Sequence, residues 1–125
     1  MKKRILLVED NEATVEVMVL QVKFLGYDVI VARNGADAVE LLAQELPDLI
    51  IMDIQMPKMD GFQAVSRIKN DPRTQSIPVL AATAKAMADD KERCLASGFD
   101  GYLAKPFTQA NLGSAIKTCL KMPSA

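Results

Sequence analysis

The chain has 125 residues, half of them apolar and a quarter charged, which suits one ordinary globular domain and excludes a disordered chain. Fifteen basic against sixteen acidic residues leave a net charge of −1, without the broad basic face that non-specific nucleic-acid binding needs. No apolar run reaches the length of a membrane span, and Met1-Lys2-Lys3-Arg4 leads into only four strongly apolar residues before Glu9. Neither signal peptide nor anchor is expected, and the expected location is cytoplasmic.

Short apolar runs recur along the chain, each followed by a helical pattern. The first is Ile5-Leu6-Leu7-Val8, and Val15, Met18, Val19 and Val22 then mark one face of a helix. Val29-Ile30-Val31-Ala32 precedes a helix marked by Val39, Leu42 and Leu46. Leu49-Ile50-Ile51-Met52 precedes one marked by Phe62, Val65 and Ile68. Val79-Leu80-Ala81-Ala82 leads into the segment from about 84 to 97, whose stripe is interrupted by Asp89-Asp90-Lys91-Glu92-Arg93 and predicts the least firmly packed helix. A weaker run at Tyr102-Leu103 is followed by Leu112, Ala115, Ile116, Cys119 and Leu120.

The runs are continuous rather than alternating, as in parallel strands covered on both faces. Gly26, Gly35 and Gly98 sit at helix edges, and Pro47 and Pro78 stand just before strands. Asn11, Asp60 and Thr108 are placed as N-caps, with Asp60 and Gln63 spaced as a capping box. Five such units in succession predict an α/β fold: a doubly wound five-stranded parallel sheet, flavodoxin-like order 2-1-3-4-5, with five helices. Residues 1–125 read as a single domain, with a core from about 4 to 121.

Absences restrict the chemistry. With no His, Ser-His and Cys-His catalysis and most zinc sites are excluded. Cys94 and Cys119 are too few and too far apart for a metal knuckle, and Cys119 falls on an apolar stripe. Carboxylates, hydroxyls and lysines remain.

Ligands of doubly wound sheets bind beyond the carboxyl ends of the strands. The first strand runs into Glu9-Asp10, the third into Asp53, the fourth into Thr83 and the fifth into Lys105-Pro106. Asp10 alone could be a helix cap, whereas Asp53 precedes Ile54-Gln55-Met56-Pro57, which cannot start a helix cleanly. Two carboxylates about 5 Å apart repel by roughly 3 kcal/mol at an effective dielectric of 20. Either one is protonated or a cation sits among them. Hard oxygen ligands without His or thiolate favour Mg²⁺. A carboxylate nucleophile with a hard divalent ion, a lysine and a hydroxyl suits acceptance of a phosphoryl group.

The pieces Ile5-Leu6-Leu7-Val8-Glu9-Asp10-Asn11, Met52-Asp53-Ile54-Gln55-Met56-Pro57-Lys58-Met59-Asp60-Gly61, Thr83-Ala84 and Tyr102-Leu103-Ala104-Lys105-Pro106-Phe107, in this order and spacing, resemble a response-regulator receiver domain. The resemblance covers roughly residues 4 to 121. It implies that Asp53 is the phosphoacceptor, Asp10 a direct metal ligand, and Glu9 an acid held to Mg²⁺ through water. It implies that the backbone carbonyl of Gln55 completes the metal shell and that Thr83 and Lys105 bond the phosphoryl oxygens. Tyr102 matches the aromatic that turns inward when Thr83 moves toward the phosphate, although a half-buried strand aromatic would look the same. Lys105-Pro106 is a candidate cis peptide.

The implied partners are a sensor histidine kinase or histidine phosphotransfer protein as donor, and a downstream protein target; no nucleic acid and no membrane are implied. The product is expected to bias a surface formed by the fourth helix, fifth strand and fifth helix. Gln55 and Lys85 flank the expected path of hydrolytic water. On this reading the chain is not an enzyme. A phosphatase of the haloacid-dehalogenase type would want a second acid where Gln55 stands. A flavodoxin-like cofactor binder would not place Glu9-Asp10-Asn11-Glu12 at its phosphate loop. A receiver acting only as a protein-binding module would not need its acceptor positions filled. The starting Met and short tail from Met122 suggest a stand-alone regulator, and a receiver excised from a hybrid kinase would look much the same.

Overall fold

The apolar runs pair in parallel because each has too little polar surface to face water on either side. The computed structural model describes residues 2–54, 60–83, 90–105 and 107–121. In chain order the elements are β1 (Arg4–Val8), α1 (Glu12–Phe24), β2 (Asp28–Ala32), α2 (Gly35–Leu42), β3 (Leu49–Asp53), α3 (Gly61–Lys69), β4 (Val79–Thr83), α4 (Asp90–Ala96), β5 (Gly101–Ala104) and α5 (Gln109–Leu120). The sheet order is β2-β1-β3-β4-β5, as expected from the pattern. Leu7 of β1 stands opposite Val31 of β2 and Ile51 of β3, and Asp53 stands opposite Ala82 of β4. The expectations placed on Gln55, on Lys85, on the Lys105-Pro106 bond and on the tail from Met122 lie outside the described residues.

Alternation along the central strands builds two apolar layers. Leu6, Val8, Ile50, Met52, Val79 and Ala81 face Ala38 and Leu42 of α2, Val65 and Ile68 of α3, and Cys94 of α4. Ile5, Leu7, Leu49, Ile51, Leu80 and Ala82 face Met18 and Val22 of α1 and Leu112, Ile116 and Cys119 of α5. Each fully buried Leu or Ile contributes about 1.5–3 kcal/mol, so these layers carry most of the stabilisation.

The expected caps form. Asn11, Asp60 and Thr108 accept from the backbone amides of Thr14, Gln63 and Asn111, and the Asp60–Gln63 capping box is complete. Asn34 caps α2 in the same way, through the amide of Asp37, and was not anticipated. Leu46 is a correction. It was expected on the buried face of the second helix, yet α2 ends at Leu42 and Leu46 is 52% exposed. The proline at 47 disfavours helical backbone at position 46, so the helix closes before its periodic pattern runs out. The poor stripe expected of the fourth helix is real over residues 91–96, where Cys94 alone is buried.

Lys69, at the end of α3, donates to the carbonyl of Ile77 and to Asp100, both at 2.8 Å. Asp100 also accepts from the amide of Val79 at 2.9 Å. This pair pins the entry of β4 to the loop before β5, at the edge of the sheet opposite the strand ends discussed below.

Cys119 packs against Gly101, where an added Cβ would come within 2.9 Å of its sulfur. Burial, reinforced by Asp100 and partly offset by Lys69, pushes its thiol from 9.0 up to about 11. A thiol harder to ionise folded than unfolded contributes stability in full below about pH 9 and loses it as the pH rises toward 11. Between pH 8.5 and 10.5 the wild-type chain should therefore lose about 2 kcal/mol more than Cys119→Ala in urea unfolding. Parallel pH profiles of the two proteins would refute this.

Candidate functional site

Because the sheet is parallel, every strand delivers its carboxyl end to the same rim. Glu9 and Asp10 follow β1, Asp53 and Thr83 are the last residues of β3 and β4, and Lys105 follows β5. The amide of Glu9 donates to the carbonyl of Ala32, and that of Lys105 to the carbonyl of Thr83 at 2.8 Å, so the pairing continues one residue past the strands. The alternation continues with it. Glu9, Asp53 and Lys105 share the parity of Leu7, Ile51 and Leu103, residues of the layer covered by α1 and α5. Thr83 shares the parity of Val79 and Ala81, and half-buried Tyr102 packs into that same opposite layer.

Carboxylate oxygens of Glu9, Asp10 and Asp53 lie within 4.8 Å of one another. Glu9 is 2% exposed and Asp53 9% exposed, while Asp10 faces solvent. Lys105 forms an ion pair with Glu9, and its Nζ stands 3.8 Å from Asp53 Oδ2. The amide of Asn11 donates to the other Glu9 oxygen at 3.3 Å. Among the described residues, one ammonium thus faces three carboxylates. Each acid pair at this spacing repels by about 3 kcal/mol at an effective dielectric of 20, less where water reaches Asp10. The cleft is built to receive a further cation, and its all-oxygen donor set fits a hard one such as Mg²⁺.

Of the residues singled out in the sequence, Glu9, Asp10, Asp53 and Lys105 meet directly. Thr83 is fully buried at the same rim, on the other parity. Gln55 lies outside the described residues.

Gly61 was quoted in the motif without a role, and the structure supplies one. Its amide donates to the carbonyl of Ile54 at 3.2 Å, and an added Cβ would come within 2.6 Å of Ile54 Cα and 3.0 Å of the Asp53 carbonyl. Only a residue without a side chain lets the start of α3 close onto the Asp53–Ile54 backbone. Gly61→Ala should cost about 2 kcal/mol, lowering Tm by roughly 8 °C, because that backbone must move apart. Phosphoryl uptake should slow with it. A melt and an uptake time course matching wild type would show that the loop has slack.

A second missed feature is the outer face of α1. Val17, Leu20 and Phe24 are 56, 70 and 80% exposed. Their spacing was legible as a second apolar stripe beside the buried Val15, Met18 and Val22. A cavity of about 550 Å³ joins this stripe to the rim, lined among others by Ala13, Val17, Gln21, Lys105 and Phe107.

Known proteins agree with this geometry. The response regulator receiver domain family matches residues 5–117. The polar-differentiation response regulator DivK of Brucella anthropi is 38% identical over 120 residues, spanning 96% of this chain and 98% of the relative. A crystal structure of a response regulator from Chloroflexus aurantiacus superposes with a TM-score of 0.93 at 30% identity, covering 98% of this chain and 100% of that one. The receiver domain of a Pseudomonas aeruginosa sensor histidine kinase, with a magnesium ion coordinated in its active-site cleft, gives 0.90 at 34% identity over 98% of this chain and 100% of that one. With the family matched across most of its length and the acid cluster at the matching strand ends, the chain belongs to the response regulator receiver domains.

Proposed function

We propose that Asp53 accepts a phosphoryl group from the phosphohistidine of a sensor histidine kinase or histidine phosphotransfer protein. The observation that carries this is the convergence of Glu9, Asp10 and Asp53 beside Lys105. A carboxylate oxygen of Asp53 attacks phosphorus, the phosphorus–nitrogen bond breaks, and its electron pair returns to the imidazole of the donor. The product is an acyl phosphate on Asp53. Lys105, with its Nζ 3.8 Å from Asp53, neutralises charge on the transferring oxygens, and the Thr83 hydroxyl donates to one of them. Asn11 and Lys105 hold Glu9 in place. Asp10, Asp53 and Glu9, with the Gln55 carbonyl, would hold Mg²⁺. When bound, the ion supplies positive charge to the phosphoryl oxygens and to the acids.

A protein donor needs a surface that brings its histidine to this rim. The Val17–Leu20–Phe24 stripe, continuous with Lys105 through the neighbouring cavity, is the exposed apolar surface nearest the cleft on α1. We read the site as an acceptor rather than an enzyme that turns over phosphate esters, a reading supported by Gln55 standing two residues after Asp53 where such an enzyme would want a second acid. Output then passes to a downstream protein through α4, β5 and α5, with Thr83 and Tyr102 as the switching pair. No described helix is long and apolar enough to cross a membrane, which supports a reading in which the chain works in the cytoplasm.

Intact mass after incubation with acetyl phosphate tests the reading. The expected result is one Mg²⁺-dependent, hydroxylamine-labile phosphoryl group that peptide mapping places on Asp53. No adduct under any condition would leave a protein-binding module that is not phosphorylated. Transfer from a purified kinase with none from acetyl phosphate would restrict the site to protein donors.

A further inference from the structure

Phe62, the second residue of α3, is gripped from two sides. The Arg93 guanidinium lies over its ring, 4.4 Å from the centroid. Phe99 meets it edge-on, with centroids 6.0 Å apart and planes at 85°. Arg93 belongs to α4 and Phe99 to the loop joining α4 to β5, so one ring of α3 holds both. Phe99 is buried, Phe62 half-buried and Arg93 exposed.

The other end of this grip reaches the acceptor. Phe62 follows Gly61, whose amide bonds the Ile54 carbonyl and whose Cα is packed against Ile54 Cα without room for a methyl group. Ile54 in turn follows Asp53. A displacement of the backbone at 53–54 therefore cannot be absorbed at Gly61 and moves the start of α3, and with it the Phe62 ring. Over residues 91–96 α4 buries Cys94 alone, so within that stretch its hold on the core is narrow. Contacts of the Arg–aromatic class are each worth roughly a two- to fivefold change in an equilibrium constant, which is enough to tilt a weakly held helix.

We infer that Phe62 is a positioning residue that couples the Asp53 backbone to α4 through Arg93 and Phe99, a link built on α3 and separate from Thr83 and Tyr102. The inference rests on the reading of Asp53 as phosphoacceptor.

Amide hydrogen exchange tests it, with intact mass measured on the same samples to fix the fraction carrying the adduct. Wild type, Phe62→Leu, Arg93→Ala, Arg93→Lys and the Leu–Ala double variant are compared with Mg²⁺, before and after acetyl phosphate. In wild type, loading should change exchange across residues 91–99 at least threefold. Phe62→Leu and Arg93→Ala should each cut that change by half or more, the double variant no further, and Arg93→Lys should recover part of it. The adduct fraction and the response of residues 102–104 should match wild type throughout. An α4 response in Phe62→Leu and Arg93→Ala equal to wild type would make the grip passive packing and overturn the inference. Additive effects in the double variant, or a reduced adduct fraction in either single one, would overturn it too. An adduct on wild type without any change at 91–99 would defeat the coupling and leave the acceptor intact. No adduct on wild type would defeat the acceptor reading first, and the coupling with it.

Discussion

Asp53→Asn is expected to take up no phosphoryl group from acetyl phosphate or from a phosphohistidine donor, and yet to be at least as stable as wild type in EDTA. The first half follows from chemistry, since a carboxamide oxygen is a poor nucleophile and its adduct is not an acyl phosphate. The second follows from the crowding of Glu9, Asp10 and Asp53 within 4.8 Å. Among the pairs the structure describes, removing the Asp53 charge relieves two repulsions and forfeits the attraction to Lys105 at 3.8 Å. Lys105 remains paired with Glu9. With Asp10 screened by water, the gain lies between zero and about 2 kcal/mol. Mg²⁺ should stabilise wild type more than the variant, because the variant offers one charge fewer to the ion. Thermal melts with and without Mg²⁺ read both effects. A variant that melts clearly below wild type in EDTA would show that attraction to Lys105 dominates the cleft.

Lys105→Met should have the opposite sign of stability and the second-largest effect on transfer. Glu9 is 2% exposed, and Lys105 with the Asn11 amide is what it pairs with. Stripping the ammonium strands a buried carboxylate beside two others, at a cost of about 3 kcal/mol in EDTA. Mg²⁺ should return much of that loss, and return more to the variant than it adds to wild type, since a bound cation takes over the neutralising role. Uptake from acetyl phosphate should slow by about 10²-fold, the usual consequence of removing one donor to developing phosphoryl or oxyanion charge. Uptake within threefold of wild type would assign Lys105 a structural role only.

These two variants also separate what could be read from the chain. Asp53 was legible because it ends a fully apolar run and is followed by Ile54-Gln55-Met56-Pro57 rather than by a helix start. Lys105 was legible as polar chemistry after the last strand. That Lys105 pairs most closely with Glu9, more than 90 residues away, was not, because contacts between strand ends depend on sheet order and register. The Asn34 cap was available in principle, from Asn before Gly35 and three residues before Asp37, but was passed over. Leu46 was misplaced because periodicity was followed across a proline that closes the helix first. The grip on Phe62 carried no local signal, since Phe62, Arg93 and Phe99 come from three separate stretches of chain.

By itself the sequence determined the local elements, most of their caps and the chemical inventory at four strand ends. Each rests on neighbours within a few residues: apolar runs too dry for solvent, periodic stripes, Asn, Asp and Thr before helices, and acids, a hydroxyl and a lysine after strands. Tertiary structure decided which of those groups face each other. Parallel pairing in the order β2-β1-β3-β4-β5 brings the carboxyl ends together, and two-residue alternation puts Glu9, Asp53 and Lys105 on one face with Thr83 and Tyr102 on the other. It also decided burial, which turns Glu9 from one more surface acid into a charge that needs a partner. Interaction energies in such a cleft depend on distances of a few ångström and on exclusion of water, and the folded chain alone sets both.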